Sequence, residues 1–175
     1  MKRPPNPIIR ASRTAKVAIA GQAPGNLADL KSKPFADPSG VRLREWMGVS
    51  EDEFYDEAQI AIIPMGFCFP GYDAKGGDLP PMKVCAQTWR SRVFEALPNV
   101  ELILAVGVYA QTWHLGPSRS PTMTETVQRW REHLEQGVLP LPHPSWRNNA
   151  WLRKNSWFET EVLPELRRRT GALLG

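Results

Sequence analysis

The sequence predicts an α/β protein, a three-layer α/β/α sandwich around a central four-stranded parallel sheet. Three observations point to it. Short, continuous apolar runs recur at Val17–Ala20, 60–63, Leu102–Val106 and Val138–Leu141; unbroken runs suit strands covered on both faces better than strands with one wet face. Longer segments with apolar residues at helical spacing separate the runs, and crossovers of that kind make neighbouring strands parallel. The stretches after the runs are the most Pro-, Gly- and polar-rich of the chain, and in such sheets ligands bind outside the carboxyl ends of the strands.

Taken in order, the chain begins with "MKRPPNPIIRASRTAK", which holds Lys2, Arg3, Arg10, Arg13 and Lys16 and no acid; residues 1–14 read as a flexible basic arm. The first strand runs straight into "GQAPG". Gly21 and Gly25 permit backbone angles or close approaches that a side chain forbids, and Pro24 stiffens the turn. Taken alone, this is a tight strand-to-helix connection; it lacks the Lys-Ser/Thr of a P-loop and the spacing of GxGxxG. A long loop through "PFADPSG" leads to a helix over 41–47. The second strand opens into "PMGFCFPGYDAKGGDLPP", followed by a helix over 85–97. After the third strand comes the short "GVYAQTW", then a helix over 122–134. The fourth strand ends in "PHPSWRNNAWLRKN", and a last helix spans 156–169, with Ser156 and Glu159 placed for a capping box. Loops of roughly twenty residues without evident structure are uncommon unless functional, so a site is expected from the first, second and fourth.

At 175 residues the chain suits one domain, 1–175, with one full core. No stretch approaches eighteen apolar residues, and the basic N-terminus is not followed by a signal-peptide core; a soluble, cytoplasmic protein without a membrane partner is expected. Two cysteines make no disulfide scaffold. The net charge of +4 permits an acidic partner, and the cations Arg147, Arg153 and Lys154 near the last loop suit a polyanion such as nucleic acid. Arg167, Arg168 and Arg169 read first as a solvated helix face. Seven tryptophans are many for this length; some belong in a core, and aromatics beside basic residues also stack on bases.

Four anchors in order, "GQAPG", "PFADPSGVRLREWMG", "IIPMGFCFP" and "HPSWRNN", make most of the chain similar to the uracil-DNA glycosylase superfamily, most closely its bacterial and archaeal family 4 and 5 branches. The resemblance implies an enzyme that flips uracil out of DNA into a pocket and hydrolyses its N-glycosidic bond, leaving an abasic site. By the same resemblance, Gly21, Gln22, Ala23, Pro24 and Gly25 line the pocket and help position the attacking water. Phe35 matches the aromatic on which the flipped base stacks. His143 hydrogen-bonds the uracil carbonyl oxygen as negative charge develops there. Ser145, Trp146, Arg147, Asn148 and Asn149 form the loop that presses into DNA, with Arg153 and Lys154 beyond it, and Trp146 reads as the wedge. Without the resemblance, His143 reads as a structural hydrogen bond in a Pro-rich turn and Phe35 as a core residue.

The sequence departs from the family pattern in three places. Gln22 stands where family 4 carries an acid, so Gln22 and Asn26 are expected only to orient a water. Asp37 is the reserve base, although an Asp before Pro38 also reads as turn-forming. Pro64 occupies the place of an Asn that reads the uracil edge, which passes that task to backbone groups of Met65, Gly66 or Phe67. Family 4 holds an iron-sulfur cluster on four cysteines; here only Cys68 and Cys85 are present, and no cluster, metal or other cofactor is expected. The reading is a monomeric, monofunctional glycosylase acting on DNA that contains uracil or a related deaminated base. The alternative is a catalytically weak protein on the same fold that binds damaged or abasic DNA.

Overall fold

Each apolar run forms a strand, β1 (Val17–Ala20), β2 (Ile60–Ile62), β3 (Leu102–Val106) and β4 (Val138–Leu141), in a computed structural model that describes residues 4–175. All pairings are parallel and the spatial order is β2-β1-β3-β4. Val17 lies opposite both Ile60 and Leu102, and Ile103 lies opposite Val138, so the carboxyl ends of the strands open on one side. The chain leaves β1 towards β2, then crosses back to β3 on the other side of β1. That reversal is the switch point at which such sheets open a crevice.

Strand pleating sorts the core into two faces. Val17, Ile19, Ile60, Ile62, Leu102 and Leu104 point to one side, where they meet Leu43, Trp46 and Met47 of the helix Pro38–Met47 and Phe158, Val162 and Leu166 near the C-terminus. Burying each large aliphatic chain there is worth about 1.5–3 kcal/mol. The other face is mostly alanine: Ala18, Ala20, Ala61 and Ala105, with Ala86 and Ala110 from the covering helices. Small side chains on both surfaces let that helical layer approach closely. Helices therefore cover both faces, giving the expected α/β/α sandwich.

The helices depart from expectation in detail. The 85–97 segment is built from Lys83–Cys85, a π-helical turn Ala86–Arg90 and Ser91–Glu95. The 122–134 segment divides at Arg129 into Met123–Gln128 and Trp130–Glu135. The capping box expected at Ser156 and Glu159 does not form, because the amides of Phe158 and Glu159 are taken by the backbone carbonyls of Asn155 and Ser156. Capping boxes form instead at Ser50 with Glu53 and Thr122 with Glu125. The stretch "GVYAQTW", read as a loop, belongs largely to a helix, Val108–Leu115, and Asn26–Lys31 and Asn149–Lys154 are also helical.

The expected basic arm is corrected over much of its length. Lys2 and Arg3 lie outside the described residues, but the buried Ile8 donates its amide to Phe67 O at 2.7 Å, and Arg10 exchanges two backbone hydrogen bonds with Ile62 at 3.0 and 2.7 Å. The segment covers the outer edge of β2, where unpaired strand groups otherwise stand open. No helix among the described residues is long and apolar enough to cross a membrane.

Candidate active site at the carboxyl ends of the strands

The first two loops are zipped together by their backbones. The Met65 amide donates to Gly21 O at 2.8 Å and the Gly66 amide to Gln22 O at 2.9 Å, which holds "GQAPG" across the ends of β1 and β2. A cavity of about 60 Å³ opens on it, where roughly 10–15 Å³ suffices for one water. Gly21, Gln22, Ala23, Pro24 and Gly25 form one wall, Phe35 and Asp37 of the same long loop another, Pro64 and Asp78 come from the second loop, and His143 closes it from the end of β4.

Met65, Gly66 and Phe67 do not line this cavity. The amides of Met65 and Gly66 are committed to the first loop, Phe67 O accepts from Ile8, and the side chains of Met65 and Phe67 are buried in separate clusters. Gly66 packs closely against the second loop instead: a Cβ there would stand 3.0 Å from Pro81 Cβ, tighter than side chains usually approach. Backbone reading of a base by these three residues is corrected accordingly. Asn26 opens the helix Asn26–Lys31 and is not among the lining residues.

Phe35 is placed by strain that its surroundings hold. Its φ is +52°, an uncommon conformation for a bulky residue that costs on the order of 1–3 kcal/mol. The Tyr55 hydroxyl donates its one proton to Pro34 O at 2.7 Å, with Phe35 O sharing it at 3.2 Å. Gly40 leaves room beneath, since a Cβ there would fall 1.9 Å from Phe35 O. The Phe35 ring packs edge-on to Phe54 at 6.1 Å and reaches over Gly21, whose added Cβ would stand 3.3 Å from Phe35 Cζ. Asp37 follows. Its carboxylate caps the helix Pro38–Met47 by accepting the Gly40 amide at 3.0 Å, so the turn-forming reading and the pocket position hold together.

His143 has a defined tautomer. The Ser145 amide donates to His143 Nδ1 at 3.2 Å, so in the neutral ring the proton sits on Nε2, which becomes a donor. Burial pushes the imidazole below its ordinary pKa; Asp37 and Asp78 oppose the shift and Arg147 adds to it. The neutral donor therefore prevails near pH 7.

The last loop is shaped by its own side chains. Asn148 Nδ2 donates to His143 O at 2.7 Å, and Arg42 Nη1 donates to Ser145 O at 3.3 Å and to Asn149 Oδ1 at 2.8 Å. Ser145, Asn148 and Asn149 thus build the loop, while Trp146 stands 73% exposed with the Arg147 guanidinium 5.9 Å from its ring centre. Arg153 and Lys154 are exposed on the helix Asn149–Lys154. The Arg167–Arg169 run is a solvated face: Arg168 and Arg169 pair with Glu165, and Arg167 donates to Glu45 O.

Sequence reasoning missed Arg42, Ser39 and Asp78. Asp78 lines the cavity from the second loop, where a Tyr72–Asp78 bridge and the Asp73 carboxylate, accepting from the Lys75 and Gly77 amides, form the turn that presents it. The glycine pair just before Asp78 is the signal that marks this turn in the sequence. Two cysteines do not fit four-thiolate ligation, and among the described residues no group of three or more His, Cys, Asp or Glu stands ready for a metal.

A sequence model of the uracil DNA glycosylase superfamily matches residues 10–167 of the 175. The chain belongs to that superfamily. The match takes in all four strands and every loop around the cavity. The superfamily acts on DNA, which is the partner class that the exposed cations of the last loop suit.

Proposed function

We propose that the protein removes uracil, or a related deaminated base, from DNA by hydrolysing its N-glycosidic bond as a monofunctional glycosylase. The observation that carries this reading is a neutral, Nε2-protonated His143 facing the same cavity as Phe35 and Asp37. Trp146 enters the duplex as the nucleotide turns out, Arg147, Arg153 and Lys154 hold phosphates, and the base stacks on Phe35. As the glycosidic bond breaks, its electron pair stays with the base, and His143 Nε2–H donates to the carbonyl oxygen where that charge gathers. Asp37 accepts the proton of the attacking water, which Gln22 orients, and the water oxygen bonds to the sugar carbon. The reading is of a monomer. The missing acid at Gln22 favours the second reading, a binder of damaged or abasic DNA, while Asp37 in the cavity favours turnover.

A labelled oligonucleotide with a single uracil, incubated with the protein and treated with alkali, tests this. Strand scission at the uracil is expected. Tight binding to the same oligonucleotide without scission supports the binding reading and overturns ours.

A further inference from the structure

A buried cation without a carboxylate stands behind the cavity. Arg90 is 1% exposed. Its Nη1 donates to Ile63 O at 3.1 Å and Pro64 O at 3.0 Å, its Nε and Nη2 lie 3.0 and 2.7 Å from His114 Nε2, and Phe94 stacks at 5.0 Å. Every acceptor is neutral, and no ion pair of Arg90 occurs among the described residues. Burial lowers its pKa only to about 10, whereas burial and Arg90 together lower His114 to about 3. The guanidinium is therefore charged and the imidazole neutral near pH 7.

Charges this deeply buried are ordinarily paired, because desolvation is costly. Three further observations connect this one to the site. Pro64, whose carbonyl Arg90 holds, lines the cavity, so the charge lies one peptide group behind the wall. Arg90 also closes the π-helical turn Ala86–Arg90, a distortion frequent at functional sites. His114 belongs to the helix Val108–Leu115, which follows Gly107; a Cβ on Gly107 would stand 3.9 Å from His143 Cβ. The Arg90–His114 pair thus ties the end of β2 to the helix beside His143.

We propose that Arg90 is a positioning residue that fixes the Pro64 wall and holds an uncompensated positive charge behind it, favouring the anionic base that leaves. The proposal rests on the glycosylase reading. Arg90 gives up no proton and touches no reacting atom: the C–N electron pair goes to the base, and the field of Arg90 lowers the energy of that charge. A unit charge about one peptide group away, at an effective dielectric constant of about 20, is worth roughly tenfold or more in rate.

The test is single-turnover release of uracil and of 5-fluorouracil, a more acidic leaving group that needs less help, from matched oligonucleotides. Arg90→Gln is expected to slow uracil release about tenfold or more and 5-fluorouracil release clearly less, and Arg90→Lys, which keeps the charge, to restore most of the difference. His114→Glu neutralises the charge with Arg90 left in place and is expected to show the same selective loss, which keeps the test open if Arg90→Gln does not fold. Equal slowing of both bases, or none, overturns the role of Arg90. A wild-type protein that releases neither base overturns the glycosylase reading and this role with it.

Discussion

His143 shows how a single backbone contact sets chemistry. Because the Ser145 amide occupies Nδ1, the neutral ring carries its proton on Nε2, and burial favours that neutral form by lowering the imidazole below its ordinary pKa. Replacing His143 by Ala is expected to slow base release by about 10²–10³, the usual loss for one oxyanion donor, with little change in binding to uracil-containing DNA. Unchanged release in single-turnover assays would remove His143 from the mechanism. Phe35 depends on two glycines in different degree. Gly40→Ala places a methyl 1.9 Å from Phe35 O and is expected to lower the melting temperature sharply and abolish base binding. Gly21→Ala meets Phe35 Cζ at 3.3 Å and is expected to be milder. Equal melting temperatures for the two variants would contradict that placement.

Among the elements, the four strands are legible because a short, unbroken apolar run bounded by turn residues fits little besides a strand covered on both faces. The first and last loops are legible because their residue types at fixed spacing match one family's chemistry. Other features are not. Val108–Leu115 reads as a loop because its exposed Val108, Tyr109 and Trp113 blur the apolar stripe that marks a helix. Met65 and Gly66 read as base-reading groups because sequence shows which residues adjoin a site, not where their amides point. The same limit hides Arg42, which reaches from the helix Pro38–Met47 to brace the last loop. On that loop the exposed Trp146 is expected to be worth about 1–3 kcal/mol of DNA affinity, measured as the binding loss in Trp146→Ala. Affinity should also fall steeply between low and physiological salt, and replacing Arg147, Arg153 or Lys154 by Ala should reduce the salt slope by about one each. A flat salt response would exclude that surface as a phosphate contact.

Across the whole molecule, burial depresses all three histidines, His114 to about 3. His133, 1% exposed, has neither ring nitrogen partnered among the described residues. A histidine whose folded pKa lies below its unfolded value holds fewer protons when folded, so the stability it contributes is fully present above about pH 6.5 and is lost as pH falls through the folded pKa, which for His114 is about 3. Melting temperature is expected to decline steadily below about pH 6, and a profile flat to pH 4 would contradict the burial of these rings. The same architecture that shields them gathers the loops after β1, β2 and β4 around one cavity at the carboxyl ends of the strands, where the proposed glycosidic cleavage takes place. Free uracil released in a single turnover from uracil-containing DNA, compared between wild type and His143→Gln, tests that cleavage. Stoichiometric release by wild type and release slowed about 10²–10³ in the variant are the predicted result; tight DNA binding with no uracil released by either protein would contradict it.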